Sequence, residues 1–375
     1  MNHAPFRIVV LFTALLAGIP QISMAKTSLL YIATQNPEKM GIAVAEFDSD
    51  TGALSAPRLV IETRDPAHFT VSADGKRLYL CNTGTPGGVS AFAVEDAKSG
   101  ALRLMNNKES KGRGPSYVSV DKSGRYVFDA NYGGGYVEVY SLAADGSLDR
   151  QTAFVEHQGS SDHPQRQTKP YAHWFRTDPS GKFGLVADLG TDHIVVYRFD
   201  DQTGKLTPND PPSFKVNGGS GPRHLAFHPN GKWLYGAMEL SNEVIALGWD
   251  ARKGTLTQFQ AVKTLPQDFK DPSNTAEIAV RKDGKFLYVS NRGHDSIAVY
   301  GIDARTGELT LKQRVPSRGK VPRYFTFDHS NNWLIVSNQE GGNLSVFAVD
   351  AKTGELAPKG EPVPFTKPMG VVFPD

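Results

Sequence analysis

Seven charged or imidazole side chains stand at two repeating kinds of position in this chain, the start of one apolar run and the end of the next. They are His173, Arg223, His224, Glu239, Glu277, Arg292 and Arg323. A guanidinium is always charged, and its planar fork matches a carboxylate, a phosphate or a developing oxyanion. An imidazole or carboxylate beside it can take a proton from water or a substrate hydroxyl. Brought together, such a set would bind and activate an anionic or carbonyl-bearing molecule; the alternative is a ring of salt bridges around an empty channel.

The elements that must position these residues form an internal repeat. Each unit has an apolar run, an Asp-Gly-type turn, a second run that often ends Leu-Tyr-x-x-Asn, an alternating strand and a Thr-Gly closing turn. The units are anchored at Pro66, Pro115, Ala172, Pro222, Thr275, Pro322 and Pro368, with spacings of 46–57 residues. A period of ~50 residues is typical of a β-propeller, in which each unit is one four-stranded antiparallel blade. The chain is therefore predicted to be an all-β, seven-bladed propeller.

The two ends of the repeat predict how the ring closes. The chain begins in the middle of a unit, because Leu29–Ile32 matches a second strand, and the residues from Pro368 onward match a first strand. We expect the C-terminal strand to join the N-terminal blade, which removes two exposed sheet edges. Residues 26–375 then form one domain. In each blade the start of the first strand and the end of the second lie on one face, so the seven side chains are predicted to surround one central mouth.

Composition and the N-terminal segment restrict the class of protein. The net charge of +2, without a block of Lys or Arg, argues against a nucleic-acid partner. Residues 1–25 combine Arg7, an apolar run from Ile8 to Ile19 and small residues ending at Ala25, which is typical of a secretory signal cleaved after Ala25. The run is shorter than the ~20 residues needed to span a bilayer, so no stable membrane insertion is expected after cleavage. The mature chain is predicted to be exported, to the periplasm.

Cofactor and metal signatures do not occur in the sequence. His224 and His228 are four residues apart, and on a strand this separates them by about 13 Å, too far to share one ion. No Gly-x-Ser-x-Gly elbow, phosphate-binding loop or dinucleotide motif is present. We therefore expect no metal and no cofactor. Cys81 is the only cysteine, which excludes an intrachain disulfide, and it is expected to be buried.

The connection into the fourth blade is unusually long. Residues 156–170 account for the longest spacing between anchors. The connection is expected on the mouth side, where it would form either a lid over the site or an ordinary surface loop.

Several stretches closely resemble the seven-bladed lactonase family, which includes propeller-type 6-phosphogluconolactonases and fungal 3-carboxy-cis,cis-muconate lactonizing enzymes. These stretches are Gly221–Pro229, Met238–Ser241, Ala276–Ile278, Leu287–Asp295 and Asp188–Asp192, and the resemblance covers essentially all of the mature chain. It implies an active site of His173, Arg223, Glu239 and Arg292. One departure is Tyr171, which stands where family members often carry the first histidine of His-x-His. The export signal is a second departure, because phosphorylated sugar lactones are expected in the cytoplasm.

The resemblance implies a lactonase that hydrolyses a sugar or carboxylated lactone, with an anionic small molecule as its partner. Arg223 and Arg292 would hold the carbonyl oxygen or a substrate carboxylate, and His173 or Glu239 would be the general base. The remaining residues, His224, Glu277 and Arg323, would bind substrate. A lactone-forming cycloisomerase is an alternative, since the same groups serve both directions, and a non-catalytic exported propeller that binds a ligand or protein is another. The sequence leaves the oligomeric state open.

Overall fold

The computed structural model describes Met1 and residues 27–374, and every regular element in this part of the chain is a β-strand. The predicted signal segment, residues 1–25, lies outside the described residues except for Met1. Within the described part, no helix is long and apolar enough to cross a membrane. The 29 strands form seven sheets, which are the predicted blades.

The strands follow one another blade by blade. The first blade contains β1 (Thr27–Thr34), β2 (Gly41–Asp48), β3 (Ala53–Leu54), β4 (Arg58–Glu62) and the last strand of the chain, β29 (Pro368–Val372). The second contains β5 (Pro66–Val71), β6 (Arg77–Asn82), β7 (Gly88–Asp96) and β8 (Ala101–Glu109). The third contains β9 (Tyr117–Val120), β10 (Tyr126–Asn131), β11 (Tyr136–Leu142) and β12 (Leu148–Glu156).

The remaining four blades have the same plan. The fourth contains β13 (Ala172–Thr177), β14 (Phe183–Asp188), β15 (His193–Asp200) and β16 (Lys205–Lys215). The fifth contains β17 (Pro222–Phe227), β18 (Trp233–Met238), β19 (Glu243–Asp250) and β20 (Thr255–Lys263). The sixth contains β21 (Asn274–Val280), β22 (Phe286–Arg292), β23 (Ser296–Ile302) and β24 (Leu309–Pro316). The seventh contains β25 (Pro322–Phe327), β26 (Trp333–Asn338), β27 (Asn343–Val349) and β28 (Leu356–Pro364).

The ring closes as the sequence predicts. Strand β29 pairs antiparallel with β1, with Tyr31 opposite Val372 and Ile32 opposite Val371. The first blade therefore takes its innermost strand from the C-terminus, and neither end of the repeat leaves an unpaired inner edge. The all-β, seven-bladed fold is confirmed.

The repeated Leu-Tyr and Thr-Gly segments meet between neighbouring blades. The hydroxyl of Tyr235 in the fifth blade donates to the carbonyl of Gly307 in the sixth at 2.8 Å, and that of Tyr288 donates to the carbonyl of Gly354 in the seventh at 2.7 Å. These glycines have φ values of +79° and +75°, which a residue with a Cβ rarely adopts. Each buried tyrosine thus fills the space between two sheets and satisfies its own hydroxyl.

The mouth end of the first strands is bulged. In β13, β17 and β25 the register shifts after the first residue, so that the second residue of the strand is left without a directly opposed partner. The bulged residues are His173, Arg223 and Arg323. A bulge turns its side chain relative to the regular pleat. Here it places three of the predicted site residues at the end of the channel.

A buried pair of carboxyl groups lies between the second and third blades. Asp129 in β10 is directly opposite Glu138 in β11, and both side chains are buried. Apart from the carboxyl of Glu138, with which a proton can be shared, the oxygens of Asp129 have no hydrogen-bond partner among the described residues. Burial and the neighbouring Glu138 raise the pKa of Asp129 well above its ordinary value. In the folded chain the pair therefore keeps one proton to a higher pH than an ordinary aspartate would. Cys81 is also buried, as predicted, and burial raises the pKa of its thiol.

This pair predicts a pH-dependent stability. The unfolded chain loses the Asp129 proton near pH 4, whereas the folded chain keeps it to higher pH. The free energy of unfolding is therefore expected to fall as pH rises from about 4 through the raised pKa. The Asp129→Asn variant gives Glu138 an amide donor, and we expect it to flatten this slope and to raise the free energy of unfolding at about pH 8 by about 1–3 kcal/mol.

Urea denaturation of both proteins from about pH 5 to about pH 8 measures the difference. Asp149→Asn, which changes an exposed carboxylate of the same blade, is the control and should leave the slope unchanged. Parallel pH dependences for wild type and Asp129→Asn would contradict the shared proton.

Candidate active site

A cavity of 310 Å³ opens at the mouth of the channel, where the first strands begin and the second strands end. Four of the predicted residues line it, His173, Glu239, Arg292 and Arg323. Arg113 and Arg166, which the sequence analysis did not single out, line it too. The cavity is therefore rich in guanidiniums and contains one carboxylate from the predicted set.

Glu239, at the end of the second strand of the fifth blade, is the centre of an ion-pair cluster. Its Oε2 lies 3.0 Å from Nε of Arg223 and 2.8 Å from Nη2 of Arg292, and its Oε1 accepts a hydrogen bond from Nη2 of Arg166. Burial alone would raise the pKa of Glu239, but Arg292 and Arg223 outweigh it and lower that pKa below its ordinary value. Glu239 is therefore a carboxylate across the ordinary pH range, and its main effect is to fix three guanidiniums.

Arg223 lies directly beneath the cavity and is completely buried. Its Nη1 and Nη2 have no hydrogen-bond partner among the described residues. Its guanidinium carbon lies 5.7 Å from the centre of the Tyr324 ring. Burial lowers the pKa of Arg292 to about 10, against the opposing effect of Glu239, and this still leaves Arg292 protonated at neutral pH. Arg223 and Arg292 both pair with Oε2 of Glu239, and both keep N–H groups without a hydrogen-bond partner among the described residues, Nη1 and Nη2 of Arg223 and Nε of Arg292.

His173 is the imidazole of the mouth. It is 5% exposed, and its ring centre lies 5.3 Å from that of Tyr132 and 5.1 Å from that of His224. Burial and the charge of Arg223 lower the pKa of His173 well below its ordinary value. Its Nδ1 has no hydrogen-bond partner in the part of the chain that the structure describes. His173 is therefore a neutral imidazole, which can accept a proton.

A layer of rings closes the channel beneath the mouth. His224 contributes to it, together with His68, Tyr117 and Tyr324. The rings of His68 and Tyr117 stack with their centres 4.0 Å apart. Each of these residues stands two positions after the anchor of its blade, and one strand residue advances the side chain by about 3.3 Å along the channel. Residues that are adjacent in sequence therefore lie at different depths.

The expectation that all seven residues look into one mouth is wrong for Arg223, His224 and Glu277, which do not line the mouth cavity, and Glu277 lies furthest from it. Oε1 of Glu277 lies 3.2 Å from Nδ1 of His224. Its side chain lines two cavities on the far side of the ring layer and does not line the mouth cavity. Glu277 stands two positions after its anchor, as His224 does, and β21 carries the same register shift as β17, so its carboxylate lies one strand position further down the channel than the anchor's neighbour. His224 itself is completely buried between the two ends.

Arg166 comes from the long connection, residues 156–170. Besides Glu239, its Nη2 lies 3.5 Å from the hydroxyl of Tyr132. The length of the connection was the only sequence signal for this contact, because the repeat supplies no matching position. The connection reaches the mouth through Arg166; its action as a lid stays a prediction.

Metal-ligand clusters do not form within residues 27–374, where no group of three or more His, Cys, Asp or Glu side chains is placed to hold an ion. The ring of His228 is instead bound to the fold, with its Nε2 2.8 Å from the carbonyl oxygen of Gly284.

Comparison with known proteins places this geometry in a family. The family model described as lactonase, 7-bladed beta-propeller, matches residues 29–373. The 6-phosphogluconolactonase of Bacillus subtilis (strain 168) is 39% identical over 295 residues, which cover 78% of this chain and 83% of that protein.

Solved structures agree with this assignment. The periplasmic gluconolactonase of Pseudomonas aeruginosa superimposes with a TM-score of 0.88 at 30% identity, over 93% of this chain and 99% of that one. A protein from Lactobacillus plantarum superimposes with a TM-score of 0.88 at 32% identity, over 93% of this chain and 100% of that one. With its fold, its cluster of guanidiniums around Glu239 and these relatives, the chain belongs to the seven-bladed β-propeller lactonase family.

Proposed function

We propose that the chain is a lactonase that hydrolyses a small anionic lactone in the mouth cavity. The observation that carries this proposal is the neutral imidazole of His173 beside guanidiniums that Glu239 holds in place. Ring opening of a lactone needs a base for water and positive charge for the carbonyl oxygen. The mouth supplies both within one cavity.

The charge of the mouth favours an anionic substrate. Four guanidiniums, those of Arg113, Arg166, Arg292 and Arg323, line the cavity, and Arg223 lies beneath it. Glu239 is the carboxylate within the cluster, so positive charge is in excess. A guanidinium binds carboxylate or phosphate oxygens in a bidentate manner. Arg323 and Arg113, which make no ion pair among the described residues, are the proposed contacts for the anionic group.

In the proposed mechanism His173 takes a proton from water as the water oxygen bonds to the lactone carbonyl carbon. The carbonyl oxygen becomes an oxyanion, which the donors of Arg223 and Arg292 stabilise. When the intermediate collapses, the bond between the carbonyl carbon and the ring oxygen breaks, and His173 returns the proton to that oxygen. The product is a hydroxy acid. Glu239 is the weaker choice of base, because three guanidiniums already occupy both of its oxygens, whereas Nδ1 of His173 has no partner among the described residues.

The location and the identity of the lactone are part of the same proposal. The solved neighbour from Pseudomonas aeruginosa is a periplasmic gluconolactonase, and the first 25 residues have the pattern of a signal. We propose that cleavage after Ala25 releases residues 26–375 to the periplasm, and that the substrate is a carboxylated lactone. An uncharged free sugar lactone is the second candidate, which the periplasmic gluconolactonase neighbour favours. His224 is proposed to support the ring of His173 from below, and Glu277 has no proposed contact with the lactone.

The test is proton release at neutral pH when the purified protein meets a panel of sugar lactones, phosphorylated and free, and a carboxylated muconolactone. We expect acceleration above spontaneous hydrolysis for at least one anionic member. Ring closure of a muconate without any hydrolysis would favour the cycloisomerase, and an inert protein across the panel would favour the non-catalytic binding protein.

The pH profile tests the role of His173. Because its pKa is lowered, the imidazole stays neutral as pH falls through 6.5, the ordinary value. We therefore expect kcat/KM to stay on a plateau from about pH 8 to below about pH 6 and to fall only when His173 is protonated. A stopped-flow or pH-stat series with the best lactone measures this. A fall centred on the ordinary histidine pKa would contradict a buried neutral base.

A further inference from the structure

The channel has a second cavity at its far end, beyond the ring layer. It measures 580 Å³, larger than the 310 Å³ of the mouth cavity, and a smaller one of 200 Å³ adjoins it. Tyr117, Arg176 and Glu277 line both of them. We call the two together the far-end cavity. The lactonase mechanism at the mouth uses none of its lining residues.

The far-end cavity contains a guanidinium that has no carboxylate partner among the described residues. Arg176, next to the last residue of β13, is exposed and makes no ion pair among residues 27–374. It lies close to the hydroxyl of Tyr117, and the two interact. Lys122 adds a second positive charge. Asp178 lines the cavity as well, but its oxygens accept hydrogen bonds from Ser180 and from the backbone of its own turn, and it forms no ion pair with Arg176 or Lys122. The guanidinium of Arg176 is therefore available to pair with an anion in the cavity.

A buried hydroxyl in the same place lacks a partner. Tyr324 is 2% exposed, lines the smaller part of the far-end cavity, and its hydroxyl has no hydrogen-bond partner among the described residues. Leaving a buried hydroxyl unpaired costs free energy that a ligand oxygen would recover. Glu277 contributes a carboxyl whose Oε1 is already occupied by His224 and the backbone N–H of Ile278, which leaves Oε2 for a ligand.

The remaining walls are apolar. Leu225, Phe227 and Val280 line the larger part of the cavity. Apolar surface with a few fixed polar groups is the usual lining of a small-molecule site, and the volume is in the range of such sites, about 300–1,000 Å³. The carbon-bound hydrogens of a polyhydroxylated chain would pack on these walls while its oxygens meet the polar groups.

We propose that the far-end cavity is a second binding site, for a small hydroxylated carboxylate. Arg176 binds the carboxylate group, and Tyr324 and Glu277 bind hydroxyls. This site is separate from the mouth, so it does not depend on the reaction proposed there.

The groups that face Glu277 predict a pH dependence of binding. They are His68, His224, Arg176, Arg223 and Tyr117. Burial raises the pKa of Glu277 to about 7, against the opposing effects of Arg223 and His68. Protonation of Glu277 removes the negative charge near Arg176, so binding of the anion is expected to tighten as pH falls from about 8 to about 6.

Calorimetric titration of the full chain with D-gluconate tests the proposal. All titrations use the Arg292→Ala variant, in which binding of gluconate at the mouth is weakened. In this variant we expect one saturable site, the far-end cavity. Adding Arg176→Ala should weaken that site at least about tenfold, since a charged hydrogen bond is lost. Arg176→Lys should restore part of the affinity. As the control, Arg198→Ala removes another exposed guanidinium of the fourth blade, one that does not line the far-end cavity. It should leave the affinity for gluconate unchanged.

Neutral sorbitol is the control ligand, and we expect it to bind at least about tenfold more weakly than gluconate. Absence of saturable gluconate binding up to about 10 mM would overturn the proposal. Equal affinity with and without Arg176→Ala, or binding that weakens as pH falls, would overturn it as well. None of these readouts needs turnover, so a failure of the lactonase proposal would be seen separately.

Discussion

Replacing Arg292 by alanine is expected to lower kcat/KM for the accepted lactone by about 10²- to 10³-fold, the usual cost of removing one oxyanion donor. Nη2 of Arg292 lies 2.8 Å from Oε2 of Glu239 and also donates to the carbonyl of Thr275 at 3.3 Å. These contacts hold the guanidinium at the wall of the mouth cavity before any substrate arrives. Without Arg292 the oxyanion of the transition state has one positive charge fewer beside it. Glu239 also loses one of its three guanidinium partners.

The loss should appear mainly in kcat if Arg292 binds the oxyanion, and mainly in KM if it binds the substrate's anionic group. Arg292→Lys keeps the charge but not the planar fork, so its activity should lie between those of wild type and alanine variant. Arg305→Ala, an exposed position of the same blade, is the matched control. An Arg292→Ala protein that keeps full turnover on a lactone accepted by the wild type would refute the role.

The sequence predicted where in each blade the site residues lie, because the repeat aligns the seven units with one another. Strands β5, β13, β17, β25 and β29 begin at the anchors Pro66, Ala172, Pro222, Pro322 and Pro368. His173, Arg223 and Arg323 each follow such an anchor, so their position at the end of the channel could be read from their place in the repeat. The ends of the second strands likewise located Glu239 and Arg292.

The depth of each side chain could not be predicted in the same way. Glu277 stands two positions after its anchor and Arg223 one, and their strands carry the same register shift, so a single step along the strand separates a carboxylate of the far-end cavity from a guanidinium paired with Glu239. Arg166 was missed for another reason, because its contact with Glu239 joins positions 73 residues apart through a connection that has no counterpart in the other blades.

Deletion of residues 367–375 is expected to abolish cooperative folding. The deletion removes β29 and with it three buried side chains, Met369, Val371 and Phe373. Burial of such side chains contributes about 1.5–3 kcal/mol each. Together this approaches the whole stability of a typical domain, about 5–15 kcal/mol.

The deletion would also expose the inner edge of β1. Hydrogen bonds that cross the closure would be lost, including the one from Oγ of Ser337 to the carbonyl of Met369 at 2.7 Å. An unpaired edge in a ring of sheets is open to pairing with another chain. We therefore expect the shortened protein to aggregate, and to show no cooperative transition in thermal unfolding followed by circular dichroism.

A shorter deletion and an added peptide separate closure from mere shortening. Removal of only residues 374 and 375 leaves β29 and Phe373 in place and should change the free energy of unfolding by no more than about 0.5 kcal/mol. A synthetic peptide of residues 367–375 should bind the shortened chain and restore part of the transition, whereas a scrambled peptide should not. A shortened chain that unfolds at the wild-type temperature without the peptide would show that the other blades hold the ring closed without β29, contrary to the pairing of β29 with β1.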